Sequence, residues 1–245
     1  MKSFPREFEA LLTKAGRRVL AGTHPKLSGA LAQGQSRFVG ADDLLDPRKS
    51  RALAGLLETT LGGSMMTMEQ PIPRGATWKM KTAYTERLPK TVLVGTAMLD
   101  EQRSPARALA EEIGLIAMLR SKSFHAFAEA LSGYPLRRRW GLQTLCYRPH
   151  DYSGPHNDHH PDEPYGCDGY TDLHLTFCTS GVAHQWLVYE RASHLQDIRS
   201  IATVGGVTCY RLPFWHYTTP LVAKRGREAS ARRWVLLGTF LDRWS

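Results

Sequence analysis

The feature that most constrains this chain is a change of periodicity near Gly133. Before it, apolar residues recur at helical spacing; after it, they alternate in short runs broken by turn residues. A period of two places successive side chains on opposite faces of a strand, whereas a period near 3.6 builds one stripe along a helix. Residues 143–147, 172–178, 184–189, 207–212 and 234–240 therefore predict strands. Ser153-Gly154-Pro155, Thr179-Ser180-Gly181 and Gly205-Gly206 predict turns between them. This many short, punctuated strands point to a two-sheet jelly-roll barrel.

Upstream, Phe8, Leu11, Leu12, Ala15 and Val19 predict one helix over 6–20. Asp46-Pro47 is a cap followed by a first-turn proline, and the stripe Leu53, Leu56, Leu57, Leu61 stops at Gly62-Gly63. Ser104-Pro105 opens a further helix carrying Leu109, Ile113, Ile116 and Leu119 on one side. A shorter one runs from Phe124 through Phe127 to Leu131 and ends at Gly133. Between them, 77–84 and 91–98 are β-rich enough to be strands, and Met65-Met66-Thr67-Met68 reads as packing or a flexible connection. No repeat or low-complexity linker divides the chain. The expectation is a mainly β, α+β unit in which a mostly helical part, 1–133, buttresses a barrel over 134–245.

Composition narrows the class. Of 245 residues, 42% are hydrophobic and 22% charged, which suits a soluble globular protein. No apolar run approaches the roughly 20 residues that span a bilayer. Met1-Lys2-Ser3-Phe4-Pro5 lacks the apolar core of a signal peptide, so a cytoplasmic location is expected. Cys146, Cys167, Cys178 and Cys209 show no Cys-x-x-Cys spacing and read as reduced structural thiols. Lys and Arg number 32 against 23 acidic residues, a formal charge of +9 that favours anionic partners. The basic clusters at 137–139 and 224–233 carry no interleaved aromatics, so a solvated basic face is the better reading than a single-strand binding surface.

Chemistry concentrates in His156-Asn157-Asp158 and the later Phe214-Trp215-His216, followed by Arg232-Arg233-Trp234. Two imidazoles and one carboxylate can occupy one face of an octahedral Fe(II) and leave the other open to oxygen and a cosubstrate. His156 and Asp158, two residues apart, can share one side of an extended segment. An arginine opening an apolar strand can anchor a dicarboxylate beside the metal. His159 and His160 are local rivals as ligands. His174, within an apolar strand, reads as a satisfied barrel histidine, and His184 and His194 as surface or turn residues.

Those residues, in that order over about 123–240, resemble the 2-oxoglutarate/Fe(II)-dependent oxygenases, and within them the prolyl-hydroxylase-like branch. The resemblance implies a double-stranded β-helix with Fe(II) held by His156, Asp158 and His216. It further implies 2-oxoglutarate as cosubstrate, its C5 carboxylate bound by Arg233 and Tyr147, with O2 as oxidant. Hydroxylation of an amino acid, peptide or other small metabolite would follow. Two departures stand out. Val235 occupies a position where the family often has Ser or Thr, and the insertion at 224–231 leaves Arg225, Arg227 and Arg232 as alternative anchors. A nucleic-acid-modifying oxygenase and a non-redox, cupin-like zinc or sugar-binding module are the competing readings. Neither the prime substrate nor the oligomeric state is legible; the loops 162–170 and 190–199 carry no readable code.

Overall fold

In the computed structural model, which describes residues 2–34, 36–72, 90–158, 169–191 and 194–243, the period-two segments form antiparallel strands. In chain order these are β1 (Phe38–Ala41), β2 (Met66–Pro71), β3 (Thr91–Met98), β4 (Gly141–Tyr147) and β5 (Tyr152–His156). There follow β6 (Tyr170–Cys178), β7 (Val182–His184), β8 (Trp186–Arg191), β9 (His194–Ser200) and β10 (Val204–Arg211). The last three are β11 (His216–Thr218), β12 (Val222–Ala223) and β13 (Arg233–Leu241). The main sheet runs β1-β10-β6-β13-β4-β3-β5-β11-β8-β9, with β2 added on β3, while β12 and β7 form a separate ribbon.

Strand β3 turns the corner. Gly95 to Met98 pair with β4, whereas Val92 and Leu93 pair with β5. One strand thus joins the large layer to a smaller one made of β5, β11, β8 and β9, and the sheet curls into the half-barrel of a jelly roll.

The large layer has two faces of opposite character, set by alternation. Leu173, Leu175 and Phe177 of β6, with Trp234, Leu236 and Phe240 of β13, join the main hydrophobic core. Their neighbours Asp172, His174, Thr176, Arg233, Val235 and Leu237 face a cavity on the other side. The core is completed by helices α1 (Lys14–Leu20), α2 (Ala30–Gln33), α3 (Pro47–Leu61), α4 (Pro105–Glu112), α5 (Leu115–Leu119) and α6 (Lys122–Ser132).

Helix α3 starts as the sequence predicts, the Asp46 carboxylate accepting from the amides of Arg48 and Lys49, and it stops at Gly62. Helix α6 is capped by Ser121 and ends at left-handed Gly133. Phe124 of α6 meets Phe8 edge-on at 5.3 Å and Phe240 of β13 at 5.9 Å, tying the helices to the sheet. Burying each such ring contributes about 1.5–3 kcal/mol.

Several expectations are corrected. The helix over 6–20 is a 3-10 turn, Phe8–Leu11, followed by α1. Thr13 separates them, its hydroxyl accepting from the Gly16 amide and donating to the Asp43 carbonyl, so a cap falls inside the apolar stripe. Gly114, at φ +77°, divides the stripe from Leu109 to Leu119 into α4 and α5. The supposed turn at Ser153-Gly154-Pro155 lies within β5, where a register shift opposite β11 accommodates a proline that has no N–H. Gly205-Gly206 is likewise part of β10, as a bulge with Gly205 at φ +85°. The N-terminal half also contributes β1 and β2, which the sequence reading omitted. Of the Met65–Met68 run, Met65 packs in the core, as one of the two expectations had it, while Met66 to Met68 are strand rather than connection and Met68 borders the cavity. The strand expected at 77–84 lies outside the described residues.

Cys146, Cys178 and Cys209 are buried free thiols, and burial pushes Cys146 and Cys178 up to about 12. Cys167 is outside the described residues. Arg137, Arg138 and Arg139 are exposed, and no described helix is long and apolar enough to cross a membrane.

Candidate metal centre

Strands β5 and β11 are antiparallel neighbours, and their pairing sets His156 opposite His216 with ring centroids 4.3 Å apart. Each imidazole is held by the carbonyl two residues before it. Nδ1 of His156 lies 2.6 Å from the Gly154 oxygen, and Nδ1 of His216 lies 2.7 Å from the Phe214 oxygen. A proton on each Nδ1 makes these hydrogen bonds and leaves both Nε2 lone pairs available to a metal.

Asp158 follows β5 at φ +56°, a left-handed conformation that Asp adopts more readily than most residues. Its Oδ1 is 3.0 Å from His156 Nε2 and its Oδ2 3.7 Å from His216 Nε2. One donor atom from each of the three residues falls within 4.8 Å of the others. The electrostatics suit a dication. Burial would raise the Asp158 carboxyl, but the charge and hydrogen bond of His156, then His216 and His174, outweigh it and hold Asp158 well below the usual carboxylate range. Burial, aided by the charge of His156, pushes His216 down to about 4. Burial works the same way on His156, but Asp158 prevails and the net shift there is upward. An ionised carboxylate beside two Nε2 atoms, each backed through Nδ1, is a donor set that fits Fe(II).

The cavity holding this cluster has a volume of about 240 Å3, and Arg233 and Tyr147 also line it. Arg233 opens β13 opposite Tyr147 of β4 and is 4% exposed. Its Nε donates to Gln185 Oε1 at 2.6 Å, and Gln185 is fixed in turn by donating to the carbonyls of Asp151 and Thr219. Burial lowers the guanidinium from its ordinary value. No carboxylate side chain pairs with it among the described residues. An isolated buried cation is costly, so this arrangement calls for an anion.

The rival arginines are elsewhere. Arg232 points to the other face, where its Nε lies 3.4 Å from Glu58 of α3, so it is paired and half-buried rather than directed into solvent. Arg225 and Arg227 are exposed. Val235 does line the cavity, and hydroxyls reach it instead from Thr218 and Ser153 of the small layer. Tyr147 is buried and hydrogen-bonded to Thr218. Thr144 faces away and donates to the Val235 carbonyl.

His174 is satisfied, as expected, by the Tyr210 hydroxyl at 3.0 Å, but it borders the cavity. The same hydroxyl lies 3.5 Å from Asp158 Oδ2, so Tyr210 links His174 to the triad. Sequence reasoning missed Tyr210, Asp172 and Gln185. The first two occupy inward positions of strands whose other face is apolar, a signal that alternation carries. Gln185 sits between β7 and β8 and has no such signature. His159 and His160 are outside the described residues.

Solved structures share this architecture. A Pseudomonas putida prolyl-4-hydroxylase matches with a TM-score of 0.51 at 12% identity, over 92% of this chain and 99% of that one. A Burkholderia pseudomallei oxidoreductase of the 2OG-Fe(II) oxygenase family gives 0.51 at 13%, over 92% and 90%. A prolyl 4-hydroxylase from Phytophthora capsici gives 0.52 at 18%, over 98% and 66%. No protein-family model and no curated protein matches the sequence. The fold is therefore the jelly roll found in 2-oxoglutarate/Fe(II) oxygenases, prolyl hydroxylases among them.

Proposed function

We propose that this chain is a 2-oxoglutarate- and Fe(II)-dependent oxygenase that hydroxylates an amino acid, peptide or other small metabolite. One observation carries the reading: a single cavity contains both a two-histidine, one-carboxylate cluster and a buried arginine without a carboxylate partner among the described residues. His156, Asp158 and His216 would hold Fe(II) on one face. When bound, Fe(II) with 2-oxoglutarate and O2 supplies an oxidant for an unactivated C–H bond, with succinate and CO2 as co-products.

The chain's own residues bind, orient and exclude water. Asp158, ionised, attracts the dication, and the Gly154 and Phe214 carbonyls fix the imidazole rings. Arg233, its Nε held by Gln185, presents the rest of its planar fork to the C5 carboxylate. Tyr147 adds a hydroxyl beside it, and Val94, Leu187, Ile201 and Val235 keep that end of the cavity dry. No side chain is assigned a proton-transfer role. The similar structures include two prolyl 4-hydroxylases, which supports a hydroxylase reading.

Nucleic-acid modification rests on net charge alone, and the cluster at 137–139 is not among the residues lining the cavity. A zinc or sugar-binding module leaves the buried Arg233 unexplained. The deciding experiment is succinate release with Fe(II), 2-oxoglutarate and O2 against pooled amino acids, peptides and oligonucleotides. Turnover that depends on all three and is stimulated by the amino-acid or peptide pool is expected. Absence of 2-oxoglutarate binding by the metal-loaded protein would end the reading.

A further inference from the structure

Beyond the triad, the cavity contains a second buried carboxylate. Asp172 lies on β6 at the inward position before His174, opposite Tyr210 of β10 and Thr239 of β13. It is 5% exposed and lines the cavity. Thr239 hydrogen-bonds the carboxylate, yet Oδ1 is buried with no hydrogen-bond partner among the described residues. A buried carboxylate oxygen without a donor is costly, and because Asp172 borders the cavity, a ligand entering there can supply a donor to the carboxylate.

Charge decides which kind. With Fe(II) and 2-oxoglutarate bound, the charges of the metal, Asp158, the two cosubstrate carboxylates and the Arg233 guanidinium cancel. Asp172 is the one further carboxylate among the described lining residues. The residues around it on the cavity side are Tyr210, His174, Thr208, Leu237 and Gln143, none of them a fixed cation. Burial, and then the charge of Asp158, push the Asp172 carboxyl up to about 8, as expected of an acid that lacks a positive partner. A neutral N–H or O–H donor would fill the hydrogen bond but leave the acid protonated, whereas a cation favours the ionised carboxylate and pairs with it.

Resting on the oxygenase reading, we propose that Asp172 receives a cationic nitrogen of the prime substrate, an ammonium or guanidinium carried by an amino acid or a basic peptide side chain. Arg233 and Asp172 then divide the cavity between two ligands of opposite charge, the dicarboxylate on one side of the metal cluster and the cation on the other. The formal charge of +9 argues for anionic partners only at the surface, because its clusters, such as 137–139, are exposed and do not line the cavity.

The test is calorimetric titration of the protein loaded with Mn(II), which prevents turnover, and 2-oxoglutarate. The probes are agmatine and the Nα-acetyl amides of L-arginine and L-lysine, with the Nα-acetyl amides of L-citrulline and L-norleucine as uncharged counterparts. The cations should bind tighter than the uncharged probes by about tenfold or more, the scale of a charge-assisted hydrogen bond. Asp172→Asn should abolish that preference while 2-oxoglutarate still binds, and Asp172→Ser provides a second variant should the first fold poorly. Equal binding of charged and uncharged probes would overturn the proposal. So would an unchanged preference in both variants, or failure of every cation to bind a protein that binds 2-oxoglutarate. If the wild type does not bind 2-oxoglutarate, the oxygenase reading falls instead. The cation preference, measured without cosubstrate, then still decides for or against Asp172.

Discussion

Arg233 and Tyr147 are register partners on adjacent strands, and the guanidinium carbon of the first lies 4.2 Å from the ring centroid of the second. A cation over an aromatic face gains about 0.5–2 kcal/mol, which offsets only part of the cost of burying the charge. The remainder needs an anion. Arg233→Ala is therefore expected to weaken 2-oxoglutarate binding by at least tenfold, since losing a desolvated charge pair costs about 2–5 kcal/mol. Metal binding should persist. Arg232→Ala, which breaks only a half-exposed pair with Glu58, should leave cosubstrate affinity intact; titration of both variants separates the two arginines.

Metal retention should depend on all three members of the cluster. His216→Ala leaves one imidazole and one carboxylate, so metal content after dialysis should fall from near stoichiometric to background, and 2-oxoglutarate turnover with it. His159→Ala and His160→Ala should keep their metal. Full activity in the His216 variant would show that the ligands lie elsewhere.

Tyr210 is expected to tune the metal without touching it. Its hydroxyl lies between His174 and Asp158 Oδ2, and removing such an outer contact typically lowers metal affinity by about 10- to 100-fold. Tyr210→Phe keeps the ring against Phe214 but takes the hydroxyl from His174, so competition with a chelator should report weaker metal binding beside a small fall in melting temperature.

Asp172 gives a pH signature in stability. Its folded-state value, about 8, lies above the model-compound value of 3.8. A group raised on folding contributes stability below its unfolded value and loses it as pH rises through the folded one. The wild type should thus lose stability between about pH 4 and about pH 8 through this residue, and Asp172→Asn should not. Melting temperatures of the two proteins should diverge, with the variant ahead at the alkaline end. Parallel curves would mean that Asp172 is ionised at little cost.

The helical layer can be tested at Phe124, fully buried between Phe8, Trp140 and Phe240. Phe124→Ala should destabilise the fold by about 3–5 kcal/mol in denaturant unfolding, because the close-packed ring leaves a cavity that the sheet cannot collapse to fill.

Local physics was legible where a local cause suffices. Asp46-Pro47 and Gly133 marked helix ends because a cap and a left-handed glycine act within one turn. Alternation along 172–178 and 234–240 marked strands, and it also set Arg233 and Asp172 on the inward face. Where a glycine or proline takes part in pairing with distant strands, the same local rules misled. Ser153-Gly154-Pro155 and Gly205-Gly206 carry turn chemistry, yet pairing of β5 with both β3 and β11, and of β10 with β6 through a bulge, holds them in strands.

Sequence alone determined which residues have the chemistry for a metal and an anion, and in what order they occur, because side-chain type and spacing are local properties. Tertiary structure decided that His216 stands against His156, that Arg232 turns to Glu58 while Arg233 turns inward, and that Gln185 locks the guanidinium. It also decided that Tyr210 reaches Asp158 and that Asp172 faces the same cavity. These relations join residues far apart in the chain through the curl of one sheet, and only the closed sheet, by burying them together, makes their charges and hydrogen bonds interdependent.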